Sequence, residues 1–206
     1  MNSASLRIHH AAMRIFAETG GTAIAVSELA KEAGLSRGTI YNNLDSPAEL
    51  FDSVCNLMAE EFLQSVRDSF GTETDPAQRI SNAIRLCVRR VHEEPHWGRF
   101  IARYAMMEPR LGAFWGRVPA EELQRGLNDN RFDIRRDQIP TICAVMGGAT
   151  FGAMTLVLNG HRTWREAGSD TAETMLRAVG LERREARRLA QTEFEPLPRM
   201  ALFDAA

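Results

Sequence analysis

Lysine is almost missing from this 206-residue chain: Lys31 stands alone among 25 basic residues. The skew reads as a compositional bias toward arginine codons, not as a function specific to guanidinium groups. A surplus of either charge is missing too, since the 25 basic residues meet 27 acidic ones. That balance gives no sign of a basic tail or a surface built to coat polyanions. Cysteine is scarce and odd in number. Cys55, Cys87 and Cys143 lie far apart, each in an apolar stretch, which fits reduced, buried thiols of a cytoplasmic protein and not a disulfide framework. No basic cluster followed by an apolar run opens the chain, so no signal peptide is expected. No period-two run of Val, Ile and Thr between turn residues appears, which argues against strands. Only segment 141–158 tests for a membrane span, and it carries three Gly and three Thr with charges close on both sides. It is expected as a fully buried helix of a soluble bundle, with no membrane partner.

What the chain does have is 44% hydrophobic residues and frequent helix punctuation. Its length allows one or two domains and a sizeable core without metal or disulfides. Ala11, Ala12, Ile15 and Phe16 give a first helix a 3.6-period face, ended by Gly20-Gly21. Short helices are expected over 27–33 and about 37–44, the second capped by Ser36. Asp45-Ser46-Pro47 opens a long helix carrying Leu50, Phe51, Val54, Leu57, Met58 and Phe62 on one face. Asp75-Pro76 and Pro95 start two more, the latter spacing Trp97, Phe100, Ile101 and Tyr104 helically. Pro109 and Pro119 punctuate one or two shorter helices. An apolar helix over about 138–158 follows, then one capped by Ser169-Asp170 and running through Val179. A charged helix at about 182–191 precedes a poorly ordered tail from Glu195. The fold expected is all-α.

The segment 27–44, SELAKEAGLSRGTIYNNL, carries the chemistry. Two short helices meet at Ala33-Gly34-Leu35-Ser36, with Leu29, Ala30, Ala33, Leu35 and Ile40 placed to pack them together. This is helix-turn-helix architecture, whose second helix enters the DNA major groove. Ser36 and the backbone N–H groups of that helix start suit a phosphate oxygen. Gly38 removes a side chain where backbone and DNA must approach. Arg37, Thr39, Tyr41, Asn42 and Asn43 supply hydrogen-bond donors; an Arg can bridge guanine and an Asn can pair with adenine. Residues 1–46 hold four basic and four acidic groups, so binding must come from a few well-placed donors and from dimerisation, not from a broad positive field.

Through Ala12, Phe16, Gly20, Val26, Leu29, Ala30, Ala33-Gly34-Leu35-Ser36, Gly38-Thr39-Ile40-Tyr41 and Glu49-Leu50 the first ~60 residues resemble the tetracycline-repressor family of bacterial regulators. The resemblance implies an N-terminal three-helix helix-turn-helix DNA-binding domain at 1–46 and a helical-bundle effector and dimerisation domain at 47–206. It also implies a cytoplasmic homodimer that binds a near-palindromic double-stranded operator and releases it when a small molecule enters the second domain. No enzyme activity, cofactor or metal is called for. Ser27, Ser36, Arg37, Gly38, Thr39, Tyr41, Asn42 and Asn43 form the DNA-contact set. The chain departs from the family at Ala25, where a Ser or Thr usually caps the second helix; Ser27 is the candidate replacement. It departs also at Gly21, Asn43-Leu44 and Pro47, and Ala25 and Pro47 together imply fewer phosphate contacts than usual.

Met58, Phe62, Trp97, Phe100, Tyr104, Met107, Phe114 and Trp115 could line a cavity for an apolar or aromatic effector, or could be plain core. Arg103 could pair with an anionic effector or merely with solvent. Gly148 and Gly152, with Thr155, Met175 and Val179, are the candidates for packing two copies together. His92-Glu93-Glu94-Pro95-His96 matches the zinc-protease pattern literally, but that chemistry needs one continuous helix and Pro95 breaks it. The Arg183-Arg184 and Arg187-Arg188 pairs read as a solvated helix face. The rival class, a helical-bundle enzyme or small-molecule carrier with a coincidental N-terminal motif, remains open from sequence, as does a ligand-independent DNA-binding role.

Overall fold

The computed structural model describes residues 2–44 and 46–194, without the side chains of Ala113 and Phe114; the tail from Glu195 and the helix opener Asp45 lie outside the described residues. Ten α-helices and no strand occur among those residues. Helix α1 (Ser3–Thr19) is capped by the Asn2 side chain and ends at Gly20, whose φ of 75° is the left-handed geometry that favours glycine. Helices α2 (Val26–Ala33) and α3 (Arg37–Asn43) follow, and a 3-10 turn at Pro47–Glu49 leads into α4 (Leu50–Ser69). The rest comprises α5 (Pro76–Glu93), α6 (Pro95–Tyr104), α7 (Pro109–Asn128), α8 (Ile139–Leu158), α9 (Trp164–Ala178) and α10 (Arg183–Gln191). Pro76, Pro95 and Pro109 each sit at the first helical position, where the missing N–H would have been unbonded anyway. The α5–α6 break at Glu94 separates His92 from His96, so the zinc-protease pattern does not lie on one helix.

Three expectations need correction. The stretch punctuated by Pro109 and Pro119 is one 20-residue helix with Pro119 inside it. Burial of Leu111, Val118 and Leu123 along α7 outweighs the cost of an interior proline, about 3 kcal/mol. Helix α9 starts at Trp164, not after Ser169-Asp170. Thr163 and Glu166 form a reciprocal cap, Thr163 Oγ1 accepting from the Glu166 N–H at 3.2 Å and Glu166 Oε2 from the Thr163 N–H at 3.1 Å. Nor is the apolar segment fully buried: the stretch Arg136–Leu158, with mean hydropathy 1.8, has only a third of its apolar window covered. Length and composition alone would let it cross a membrane. The uncovered stripe of α8 carries Thr141, Ala144, Val145, Gly148, Gly152 and Leu156.

Two apolar cores hold the bundle. The first joins α1 to α4 with α6, from Ile8, Phe16, Leu29 and Ile40 through Leu50 and Met58 to Trp97, Phe100 and Ile101. It therefore runs without interruption across residue 46. The second packs α5, α7, α8, α9 and α10 around Ile80, Leu123, Met146, Leu176 and Leu189. Rings stitch the first core: Phe16 on α1 meets Phe51 on α4 edge-on at 5.1 Å, and Phe51 meets Tyr104 on α6 at 4.9 Å. Polar bonds fix the same joint. The Tyr104 hydroxyl lies 3.1 Å from the Phe16 carbonyl and 2.9 Å from that of Gly21. His9 on α1 links the Ser5 carbonyl and the Ser53 hydroxyl of α4, each at 2.7 Å; because a carbonyl can only accept, Nδ1 is the donor to Ser5, while Nε2 bonds the Ser53 hydroxyl. Further along α4, Glu61 and Arg90 form an ion pair at 2.8 Å with both side chains 5% exposed. Burial pushes the Glu61 carboxyl up, and Arg90 pulls it back only in part.

Replacing Tyr104 by Phe keeps the ring contacts but leaves the buried Phe16 carbonyl and the partly buried Gly21 carbonyl with one donor fewer. Chemical denaturation should show a loss of about 0.5–1.5 kcal/mol; an unchanged midpoint would mean the hydroxyl does not hold α6 to α1.

Candidate nucleic-acid interface and effector cavity

The α2–α3 unit is built by local rules. Gly34 closes α2 with φ 61°, ψ 38°, its N–H reaching the Ala30 and Lys31 carbonyls. Arg7 on α1 then donates Nη2 to the carbonyls of Ala33 (2.7 Å) and Gly34 (3.1 Å), satisfying helix-end acceptors. Ser36 caps α3, its Oγ accepting from the Thr39 N–H at 3.0 Å and lying 2.9 Å from the Thr39 hydroxyl. Ile40 is 0% exposed and pins the inner face of α3 into the first core. Outward, Arg37, Gly38, Tyr41 and Asn42 are exposed, with Tyr41 at 62%.

Ser36, Arg37, Gly38, Thr39, Tyr41, Asn42 and Asn43 thus share one short helix and its cap, but not all are free to reach a ligand. Asn43 donates to the Thr39 carbonyl at 2.8 Å and accepts from Asn2 at 2.9 Å, which makes it a brace between α1 and α3. Ser27 is exposed in the first turn of α2 but does not cap it; Ala25 occupies the cap position with no side-chain bond. The clamp by Arg7 has no signature in the sequence, because an arginine 26 residues before its acceptor leaves no local pattern.

The expected cavity residues are mostly elsewhere. An apolar cavity of about 50 Å³ lies between α4, α5, α7 and α8. Of the eight expected residues whose side chains are described, Phe62 and Trp115 line it. Met58, Trp97, Phe100 and Tyr104 are packed inside the α1–α4–α6 core. Met107 is 78% exposed, and Arg103 lies over Gly20 at the end of α1. The side chain of Phe114 is outside the described residues. The walls that sequence reasoning missed are Leu63 and Val66 on α4, Ile80, Ala83, Ile84 and Cys87 on α5, Val118 and Pro119 on α7, and Met146, Gly147 and Thr150 on α8. The apolar face of α5 was visible in the sequence; that it turns toward a cavity was not. At Gly147 α8 comes close to α7, since a Cβ there would stand 2.9 Å from Trp115 Cβ.

Among the described residues, no charged side chain lines this cavity. The Thr150 hydroxyl donates to the Met146 carbonyl at 2.8 Å, and the Cys87 thiol lies 3.5 Å from the Met154 sulfur. All three cysteines are free and buried; burial pushes the Cys55 and Cys87 thiols up to about 12, so neither is a nucleophile at neutral pH.

Among the dimer candidates, Gly148 and Gly152 lie on the open stripe of α8, where an added Cβ would meet nothing within 4 Å. Thr155 is half-buried and bonds the Phe151 carbonyl. Met175 and Val179, by contrast, are 7% and 0% exposed inside the second core of this chain. Their helical spacing served α9's own packing, so they are not available to a second copy.

Comparison with known proteins decides the class. Residues 75–192, more than half of the chain, match the family model described as tetracyclin repressor-like, C-terminal domain, and residues 8–54 match that of bacterial regulatory proteins, tetR family. The chain belongs to the tetracycline-repressor family. Regulators of this family are ligand-responsive, DNA-binding transcription factors, soluble and acting as dimers; as a family they are not enzymes. Sequence relatives include the nucleoid occlusion factor SlmA of Vibrio cholerae, 25% identical over 88 residues, covering 43% of this chain and 45% of that one. The transcriptional activator FasR of Mycolicibacterium smegmatis is 31% identical over 74 residues, covering 36% and 34%. The chain thus spans less than half the length of these relatives. The fold extends over nearly the whole chain. RolR in complex with resorcinol superposes with a TM-score of 0.71 at 24% identity, covering 95% of this chain and 96% of that one. The fatty acid degradation regulator FadR of Bacillus halodurans gives 0.74 at 15% identity, covering 88% and 99%.

The cap and the exposed arginine should separate cleanly in thermal or chemical denaturation. Ser36→Ala should cost about 0.5–2 kcal/mol by unbonding the Thr39 N–H, whereas Arg37→Ala should stay within about 0.5 kcal/mol. A destabilised Arg37→Ala protein would mean that this side chain serves the fold and not the outward face.

Proposed function

We propose that this chain is a cytoplasmic repressor that binds a two-fold-related DNA operator as a homodimer and lets go when a small uncharged molecule enters the α4–α5–α7–α8 cavity. The observation that carries the reading is the two-sidedness of α3. Arg37, Gly38, Tyr41 and Asn42 face outward, while Ile40 on the same helix is anchored in a core continuous with α4 and α6. The outward set supplies a guanidinium and an amide for base edges, a glycine for close backbone approach, and a phenol for phosphate or base contact. With one short helix per chain and little net charge, affinity depends on presenting two such helices together. A spacing of about 34–36 Å, or a multiple of it, matches half-sites on one face of DNA. The open stripe of α8 is the surface that supports pairing: small, uncharged and unpartnered within the chain.

The cavity supports the effector part. About 50 Å³ is far below the ~300 Å³ at which small-molecule pockets usually begin, so a bound effector must push the walls apart. It then favours a state other than the one described here, and differential affinity for two states is what shifts an equilibrium. Phe62 stacks on Trp97 at 5.4 Å and an interplanar angle of 29°. A displaced Phe62 therefore bears on the first residues of α6, whose last residue, Tyr104, is bonded to α1. The lining also sets the ligand class. Without a charged partner, an ionised group would lose its hydration for nothing; a neutral aromatic or short acyl compound with one hydroxyl near Thr150 fits.

A mobility-shift assay on the DNA upstream of the chain's own gene and its neighbours tests the whole reading. Gly148→Arg is the informative variant: glycine to arginine raises helix propensity by roughly 1 kcal/mol, and the open position costs the chain no packing. The variant should stay folded, elute at half the mass and bind the operator at least tenfold more weakly. A monomeric wild type would contradict the dimer, and an unaffected variant would move the pairing surface away from α8. For the cavity, Ala83→Leu should fill the void, leave operator affinity within twofold and abolish release by neutral aromatic compounds; retained release would place the effector elsewhere.

A further inference from the structure

The face of α5 turned away from the apolar cavity lines a second concavity, between α5, the first turns of α9, the end of α10 at Gln191, and Glu193 and Phe194 beyond it. It encloses about 510 Å³, ten times the volume of the apolar cavity, and three arginines border it. Arg85 is 8% exposed. Its Nη1 donates to the Thr192 carbonyl at 2.6 Å and its guanidinium lies 4.3 Å from the Phe194 ring centroid. Gly168 presses α9 so closely on it that an added Cβ would be 3.4 Å from Arg85 Cα. Arg89 lies 5.0 Å over Trp164 and bonds Glu93 at 2.7 Å; Arg165 lies 4.3 Å from the same Trp164 ring. The Ser169 hydroxyl and the exposed Glu193 carboxylate complete the polar rim.

The charge pairing is what singles the groove out. Elsewhere the guanidinium buried as deeply, that of Arg90, has Glu61, and the half-buried Arg79 and Arg131 have Glu122 and the pair Asp75 and Glu185. Arg85 has none within ion-pair distance among the described residues, and neither does Arg165. A carbonyl and a ring face replace only part of the hydration a buried cation loses. Burial accordingly pushes the Arg85 guanidinium down to about 10, still charged at neutral pH. A groove roomy enough for a small molecule, floored by a cation without an anion and flanked by two aromatic rings, fits a ligand with the opposite charge.

We propose that this groove is a second binding site, for a small organic anion whose carboxylate or phosphate bonds Arg85 and Arg165 while its planar body rests against Trp164 and Phe194. Arginine's planar fork suits either head group. The site is separate from the apolar cavity and takes the ligand class that the cavity rejects. Benzoate, phenyl phosphate and uncharged benzamide, titrated into the full-length protein at constant ionic strength, test it by thermal stabilisation and tryptophan fluorescence. At least one of the two anions should raise the melting temperature saturably, and the stronger of them identifies the head group; benzamide should not. Arg85→Gln should remove the response, and Arg165→Gln, which changes an exposed residue and leaves the fold intact, should weaken it at least fivefold. Ala83→Leu should leave it unchanged. A response equal for benzamide, one that never saturates, one that survives Arg165→Gln, or one lost in Ala83→Leu would each overturn the proposal.

Discussion

Everything in this molecule that bears on DNA depends on one packed joint, the apolar core shared by α1, α4 and α6. Three helices as short as α1 to α3 bury too little surface to be robust alone. Here Ile8, Phe16 and Ile40 pack into the same interior as Leu50, Met58, Trp97 and Phe100. The Tyr104 hydroxyl and His9 add directional bonds to that nondirectional packing. A core of native density does not deform smoothly; it moves between discrete arrangements. That property suits a regulator: under the proposed function, a change at α4 or α6 would reposition α1 and the recognition helix with it.

The two hollows beside α5 follow from helix periodicity. Ile80, Ala83, Ile84 and Cys87 share one face and line an apolar cavity that holds no charge. Arg85 and Arg89 fall on the opposite face and border a groove rich in arginine and aromatic rings. One helix thereby separates two chemistries, and the buried Glu61–Arg90 pair fixes it to α4. Ion pairs of this kind contribute little net stability, but removing one partner is costly; they set position more than they add strength.

Much of this was legible in the sequence because it rests on local signals. Gly20, Gly34, Ser36, Asp75 and the prolines at helix starts mark ends through backbone geometry alone, and the turn Ala33-Gly34-Leu35-Ser36 locates the recognition helix. What was not legible is which neighbour each apolar face meets. Trp97, Phe100 and Tyr104 have the spacing of a helix face, and nothing in that spacing says whether it faces a ligand or α1. Met175 and Val179 were misplaced for the same reason, being equally good residues for a core within the chain or between chains. Thr163 and Ser169-Asp170 both carry the local signal of a helix start, and it is the reciprocal Thr163–Glu166 cap that opens α9. Pro119 inside α7 shows tertiary packing overriding a local rule. The Arg7 clamp and the uncompensated Arg85 are long-range facts that no window of sequence contains.

Native-state hydrogen exchange on the intact protein, in increasing denaturant, tests most directly whether the recognition helices and the effector bundle are joined. If the shared core makes one cooperative unit, the amides of Phe16 in α1, Ile40 in α3 and Ile101 in α6 open together with a common free energy. If α1 to α3 instead exchange through a separate opening of lower free energy, untouched by α6, the joint does not carry the coupling and this account of the regulator is wrong.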